Sequence, residues 1–120
     1  MTEIYQSLII REKHKLRVNA LIDTGATTTY IRPDIARKIG TEKLKKVKVT
    51  LADGKEIIGW ETSFLIEVYG ISDGIKGTIT NIDEPLIIGV DFLQRRNIIL
   101  NFKTHKMKIK RLSIRKGYRL

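Results

Sequence analysis

The chain has no cysteine, which excludes disulfides, thiolate metal sites and cysteine nucleophiles. Proline occurs twice, and the nine glycines fall singly between apolar runs, so there is no linker-like or low-complexity stretch. No apolar run approaches the ~18 residues of a membrane span. The opening MTEIYQSLIIREKHK has neither the apolar h-region nor the small-residue cleavage site of a secretory signal. A soluble, cytoplasmic chain is expected, about one domain in its 120 residues. Acids are missing from one stretch only. Residues 103–120 carry Lys103, Lys106, Lys108, Lys110, Arg111, Arg115, Lys116 and Arg119 with no acid, so most of the net charge of +10 sits there. Such a segment can bind nucleic acid or another polyanion weakly. It lacks aromatic interleaving, which favours a solvated, lysine-guarded strand.

The remaining pattern is strand-rich. Ile4–Arg11 and Leu16–Ile22 flank a polar turn at Glu12–Lys15 and read as a hairpin. Thr27–Ile31 is β-branched and extended. Pro33–Ile39 reads as a short helix, with proline in its first turn and Gly40 just past its end. Lys46–Leu51 alternates, Asp53-Gly54 is a hairpin-turn dipeptide, and Lys55–Tyr69 is a long returning arm with a bend at Gly59. Ile75–Ile82 and Leu86–Ile88 are further strands, and Asp91–Arg96 is one or two helical turns. Ile98–Phe102 and Lys106–Leu112 form a last hairpin around Lys103–His105. The fold class is a small, mostly antiparallel, barrel-like β fold with one or two short helices.

One stretch carries chemistry. Ala20-Leu21-Ile22 runs straight into Asp23-Thr24-Gly25-Ala26. A strand interior disfavours aspartate, but a strand end can project a carboxylate from a rigid support. Gly25 lets another backbone come close. Taken alone, the tripeptide is equally an ordinary strand-to-turn transition.

The match does not stay that short. Leu-Ile-Asp-Thr-Gly-Ala at 21–26 resembles the active-site signature of aspartic proteases. Leu86-Ile87-Ile88-Gly89-Val90-Asp91-Phe92-Leu93 resembles the second hallmark of the retroviral-type branch. Ile99-Leu100-Asn101-Phe102 is similar to that branch's final strand, and Thr50–Glu56 falls where the family has its flap. The resemblance, over about residues 3–102, is to the retropepsin-like aspartic proteases, of the cellular or retroelement kind. It implies a closed β-barrel protease fold over residues 1–112, followed by a basic extension at 113–120.

What the resemblance implies has a physical logic. Carboxylate-driven peptide hydrolysis needs an acid and a base together, and one aspartate cannot be both in a single step. The chain has one Asp-Thr-Gly and is too short for two lobes. The family comparison therefore implies a homodimer in which Asp23 meets its own copy on a two-fold axis. Thr24 is similar to the threonine that braces the two loops, and Gly25 to the glycine whose carbonyl contacts substrate. An extended peptide or unfolded protein is the implied substrate. Leu21, Ala26, Tyr30, Leu86 and Ile87 are its candidate walls, and Asp53 and Gly54 the candidate flap tip. Leu21 and Leu86 read almost equally well as core. No cofactor and no metal is implied, and no membrane partner.

Other residues are assigned structural parts. Asp91 is a helix-capping candidate, the alternative being an in-chain partner of Asp23. Asp34 fits a first helical turn. His14 and His105 lack ligand spacing. Trp60 is placed in the core. Two departures from the family stand out. Thr27 and Thr28 replace acids that commonly follow Asp-Thr-Gly-Ala, and Val90 replaces an arginine after the glycine. The tail also continues past Phe102. Two alternatives to proteolysis remain. One is a retropepsin-like dimerisation or binding module. The other is a basic β domain that binds nucleic acid through residues 103–120.

Overall fold

The computed structural model describes residues 3–51, 53–95, 98–101 and 106–109. Among the described residues, nine strands and two short helices follow one another. They are β1 (Ile4–Arg11), β2 (Lys15–Ile22), β3 (Thr29–Ile31), α1 (Pro33–Ile39), β4 (Lys46–Thr50), β5 (Glu56–Val68), β6 (Ile71–Ile79), β7 (Leu86–Ile88), α2 (Val90–Arg95), β8 (Ile98–Asn101) and β9 (Lys106–Ile109).

Period-two alternation explains the first hairpin. Ile4, Leu8 and Ile10 of β1 and Val18, Ala20 and Ile22 of β2 point into the core, and their neighbours stay wetter. The turn between them docks on the end of α1, where the Lys13 and His14 amides donate to the Ile39 carbonyl at 2.9 and 3.0 Å. α1 starts on Pro33 and stops at Gly40, whose φ of 77° lets its amide close on the last helical carbonyls.

Seven strands lie in the order β1-β2-β7-β3-β6-β5-β4, and β1 also pairs with β5. That extra pairing, Ile9–Arg11 against Leu65–Glu67, closes a six-stranded barrel and leaves β4 outside the ring. Arg11 and Glu67 form an ion pair across the seam at 2.9 Å. Most joins are antiparallel, as expected, but β2–β7 and β3–β6 are parallel. The barrel is filled by Ile10, Ile31, Ile39, Phe64, Ile66, Ile79, Leu86, Ile88 and Phe92, with Trp60 packed against the cluster from a half-buried position. Lys43 Nζ stands 5.3 Å from the Trp60 ring centre.

Several boundaries differ from the sequence reading. β6 begins at Ile71 rather than Ile75, because Tyr69-Gly70 makes a two-residue turn with φ of 52° and 75°. Both positive values match the type I′ hairpin turn. Residues 80–85 run as an irregular connection rather than extending that strand to Ile82. Only Thr29–Ile31 of the expected Thr27–Ile31 is paired as strand. Gly59 marks a close approach, since a Cβ there would lie 2.8 Å from Thr78 Cγ2. β8 and β9 form a separate two-stranded sheet. The rest of the expected last hairpin, His105 and the 113–120 extension lie outside the described residues. Among the described residues, no helix is long and apolar enough to cross a membrane.

Candidate active site

β2 delivers Asp23 to the end of the barrel, and three elements fix the loop that follows. The Asp23 amide donates to the Ile88 carbonyl of β7 at 2.9 Å, extending the parallel β2–β7 ladder by one residue. The Gly25 amide donates to Asp23 Oδ1 at 2.8 Å, and the Ala26 amide to the Asp23 carbonyl at 3.2 Å. The Val90 amide then donates to the Ala26 carbonyl at 2.8 Å. The carboxylate thus has one oxygen held by its own loop, in the manner of an Asx turn.

Gly89 is where the second hallmark passes under this loop. A Cβ on Gly89 would stand 2.5 Å from the Thr28 carbonyl oxygen and 2.8 Å from that of Ala26. Only glycine permits the approach. Its amide donates to the Thr29 hydroxyl at 3.2 Å, and that hydroxyl donates to Asp91 Oδ1 at 3.0 Å. Asp91 also accepts from the Thr29 amide at 3.3 Å and from the Phe92 amide at 2.8 Å. Thr29 is fully buried. Asp91 lies inside the first turn of α2 and ties that helix to β3, so the expected capping part is replaced by a cross-brace. Its carboxylate is engaged there and makes no bond to Asp23.

A cavity of about 300 Å³ opens beside Asp23, lined by Gly25, Ala26, Thr27, Tyr30, Val49, Thr50, Leu51, Thr80, Ile82 and Ile87. Of the residues singled out in the sequence, the fold brings Asp23, Gly25, Ala26, Tyr30 and Ile87 together there. Leu86 does not belong to the wall. It is 0% exposed and points into the barrel, because alternation along β7 turns it opposite to Ile87. Leu21 is half-buried on β2 and also stands off the cavity. Thr24 is exposed at the tip of the loop. Val49, Leu51, Thr80 and Ile82 were missed. Val49 was legible, since it alternates with Lys46 and Lys48 in a hairpin aimed at the site.

That hairpin is β4 with the first part of β5, paired from Lys46–Trp60 to Thr50–Glu56. The Leu51 amide donates to the Lys55 carbonyl at 2.8 Å, and Gly54 sits at φ of 87°. Asp53 caps the turn by accepting from the Lys55 amide at 2.9 Å. Asp53 and Gly54 are exposed at the tip and do not line the cavity of the single chain.

The opposite wall, Thr80–Pro85, has no ladder of its own and is held from outside. Arg32 Nη1 donates to the Asp83 carbonyl at 2.6 Å, and the Arg32 amide to the Pro85 carbonyl at 3.2 Å. The guanidinium is itself fixed by Asp34, through Nε–Oδ1 at 2.7 Å and Nη2–Oδ2 at 3.2 Å. This pairing holds the Asp34 carboxyl below its ordinary value. Tyr5 donates to Glu84 Oε2 at 2.8 Å, a bond that pushes the phenol up to about 12. Thr80 Oγ1 donates to the Ile58 carbonyl at 3.1 Å, joining this wall to the hairpin arm. Among the described residues, no cluster of His, Asp or Glu is arranged to hold a metal ion.

The arrangement has counterparts. A family model described as "gag-polyprotein putative aspartyl protease" matches residues 12–95. Among solved structures, EIAV protease in complex with the inhibitor HBY-793 is similar, with a TM-score of 0.71 and 20% identity over 82% of this chain and 92% of that one. The retroviral protease-like domain of Ddi1 from Leishmania major has a TM-score of 0.67 and 18% identity over 93% and 91%. A retropepsin-like aspartic protease from Rickettsia conorii has a TM-score of 0.59 and 19% identity over 81% and 76%. Among curated proteins, none matches the chain in sequence.

Proposed function

The chain belongs to the gag-polyprotein, retropepsin-like aspartyl protease family, and from that premise we propose that it is an aspartic endopeptidase working as a homodimer. The observation that carries the reading is the Asp23 loop. Its carboxylate is presented from a braced strand end at the mouth of an apolar cavity, and the other acid of the two hallmarks, Asp91, is engaged elsewhere. A second carboxylate must then come from a second copy. A two-fold axis through the exposed Thr24 tip supplies it.

In that dimer the two Asp23 carboxylates share a proton, because like charge opposes ionising both. The ionised partner takes a proton from a water held between them. That water attacks the substrate carbonyl, and the protonated partner hydrogen-bonds the developing oxyanion. The proton held by the dyad then passes to the leaving amine. Tyr30, Val49, Leu51, Ile82 and Ile87 favour apolar substrate side chains near the scissile bond. The β4–β5 hairpin acts as the flap that covers an extended peptide, adding backbone hydrogen bonds along it.

The test is cleavage of an unstructured protein by the wild-type chain and by Asp23→Asn. Loss of cleavage in a folded Asp23→Asn dimer supports the reading. A folded wild-type dimer that binds peptide without cutting it supports a binding module instead.

A further inference from the structure

We propose that Arg32 is a positioning residue for substrate selection, setting the width of the apolar pocket between Tyr30 and Ile82. The proposal rests on the endopeptidase reading and adds to it the residue that tunes side-chain size.

The two walls are built differently. Tyr30 stands on β3, which is paired on both edges, with β6 and β7. Ile82 stands on an irregular connection that leaves the sheet after the Thr80 amide donates to the Ile31 carbonyl of β3 at 3.2 Å. Two residues beyond Tyr30, Arg32 reaches across to that connection. It holds the connection on either side of Glu84, through its guanidinium to the Asp83 carbonyl and its amide to the Pro85 carbonyl. The side chain is restrained by Asp34, which accepts from Nε and Nη2 with both oxygens. A planar fork serving two edges at once needs arginine, since lysine offers a single point of charge. Asp34 is in turn fixed in the first turn of α1, which is anchored by the buried Ile35, Ala36 and Ile39. Helix, guanidinium and connection thus form one hydrogen-bonded path ending at Asp83, the residue next to Ile82. Neither Arg32 nor Asp34 lines the cavity. Arg32 therefore acts on substrate only through the wall.

The experiment uses the full chain and a peptide series differing only in one residue beside the scissile bond, Ala, Leu or Phe. For Arg32→Met, KM for the best substrate should rise about fivefold, the scale of one ordinary net hydrogen bond. The kcat value should stay within about twofold, as expected when ground-state and transition-state binding are lost together. The spread of kcat/KM across the series should fall to less than half of the wild-type spread. Arg32→Lys should recover part of it. With Ile82→Ala already present, Arg32→Met should have little further effect on selectivity, which a general loss of stability would not reproduce. If Arg32→Met does not fold, Arg32→Lys and Asp34→Asn carry the same comparison. Binding of non-cleavable reduced-amide versions of the three peptides reads the pocket without turnover. Failure of the wild type to cleave while it still binds with size preference would remove the protease reading and leave the positioning role standing. An unchanged size preference in folded Arg32 variants, or an effect of full size in the Ile82→Ala background, overturns the proposal. So does a wild type that binds none of the peptides.

Discussion

Replacing Gly89 with alanine adds one methyl group to the most crowded point of the site. That methyl would lie 2.5 Å from the Thr28 carbonyl oxygen, 2.7 Å from its carbon and 2.8 Å from the Ala26 carbonyl oxygen. All three contacts are backbone, so no side chain can turn aside. The strand must move off the Asp23 loop, which strains the Gly89 amide bond to Thr29 at 3.2 Å and the Val90 amide bond to Ala26 at 2.8 Å. Overpacking of this kind costs about 1–3 kcal/mol, and each net hydrogen bond about 1 kcal/mol, so a loss of about 3–5 kcal/mol is expected. That is a large share of the about 5–15 kcal/mol that holds a domain folded. Gly54→Ala is the control. Nothing lies within 4 Å of a Cβ there, and only the positive φ of 87° is unfavourable, so the cost should be about 1 kcal/mol. Urea unfolding followed by tryptophan fluorescence measures both, with Trp60 as the single reporter. Peptide cleavage should collapse in Gly89→Ala even where the protein remains folded, because Ala26 carries the displacement to Asp23. Equal midpoints for the two variants, or full activity in Gly89→Ala, would refute the close-approach argument.

Thr29→Val keeps the shape but removes the hydroxyl that accepts from Gly89 and donates to Asp91; unfolding should show a loss of about 2–4 kcal/mol, from a buried amide and a carboxylate each losing a partner. Acid stability should depend on Asp34, whose carboxyl is held below its ordinary value by Arg32. The unfolded chain therefore binds more protons near pH 4, and the contribution is present above about pH 4 and lost as pH falls below it. Urea midpoints measured from pH 6 down to 3 should drop less steeply for Asp34→Asn, and identical slopes would contradict the pairing. Specific activity should fall on dilution through the dimer dissociation constant. A monomer by sedimentation that cleaves at full specific activity would rule out the two-copy dyad.

Local signals carried most of the fold. Apolar runs flanking a polar turn located β1 and β2, alternation located β4, and Pro33 with Gly40 bounded α1 to the residue. What escaped depended on distant partners. Tyr69-Gly70 turns the chain with a tyrosine at positive φ, a conformation that no side-chain preference announces. Leu86 and Ile87 look alike in sequence, and only the facing of β7 decides that one is core and the other wall. The Arg32–Asp34–Asp83 path was invisible because its last link is a backbone carbonyl, which has no sequence signature. Asp91 resembled a cap because helix starts attract acids, yet its buried neighbour Thr29 claims it.

The insertion of β7 between β2 and β3, parallel to the first and antiparallel to the second, imposes an order on biosynthesis. Asp23 leaves the ribosome early, in a hairpin that can form from local contacts. The carbonyl that holds its amide, the glycine that passes beneath its loop and the aspartate that braces Thr29 all emerge much later, from residues 88–91. Contacts of long sequence separation form slowly once available, and not at all before. A nascent chain that ends before β7 therefore carries Asp23 without the contacts that hold its loop. The point in translation at which the Asp23 loop can be fixed is set by the placement of one three-residue strand.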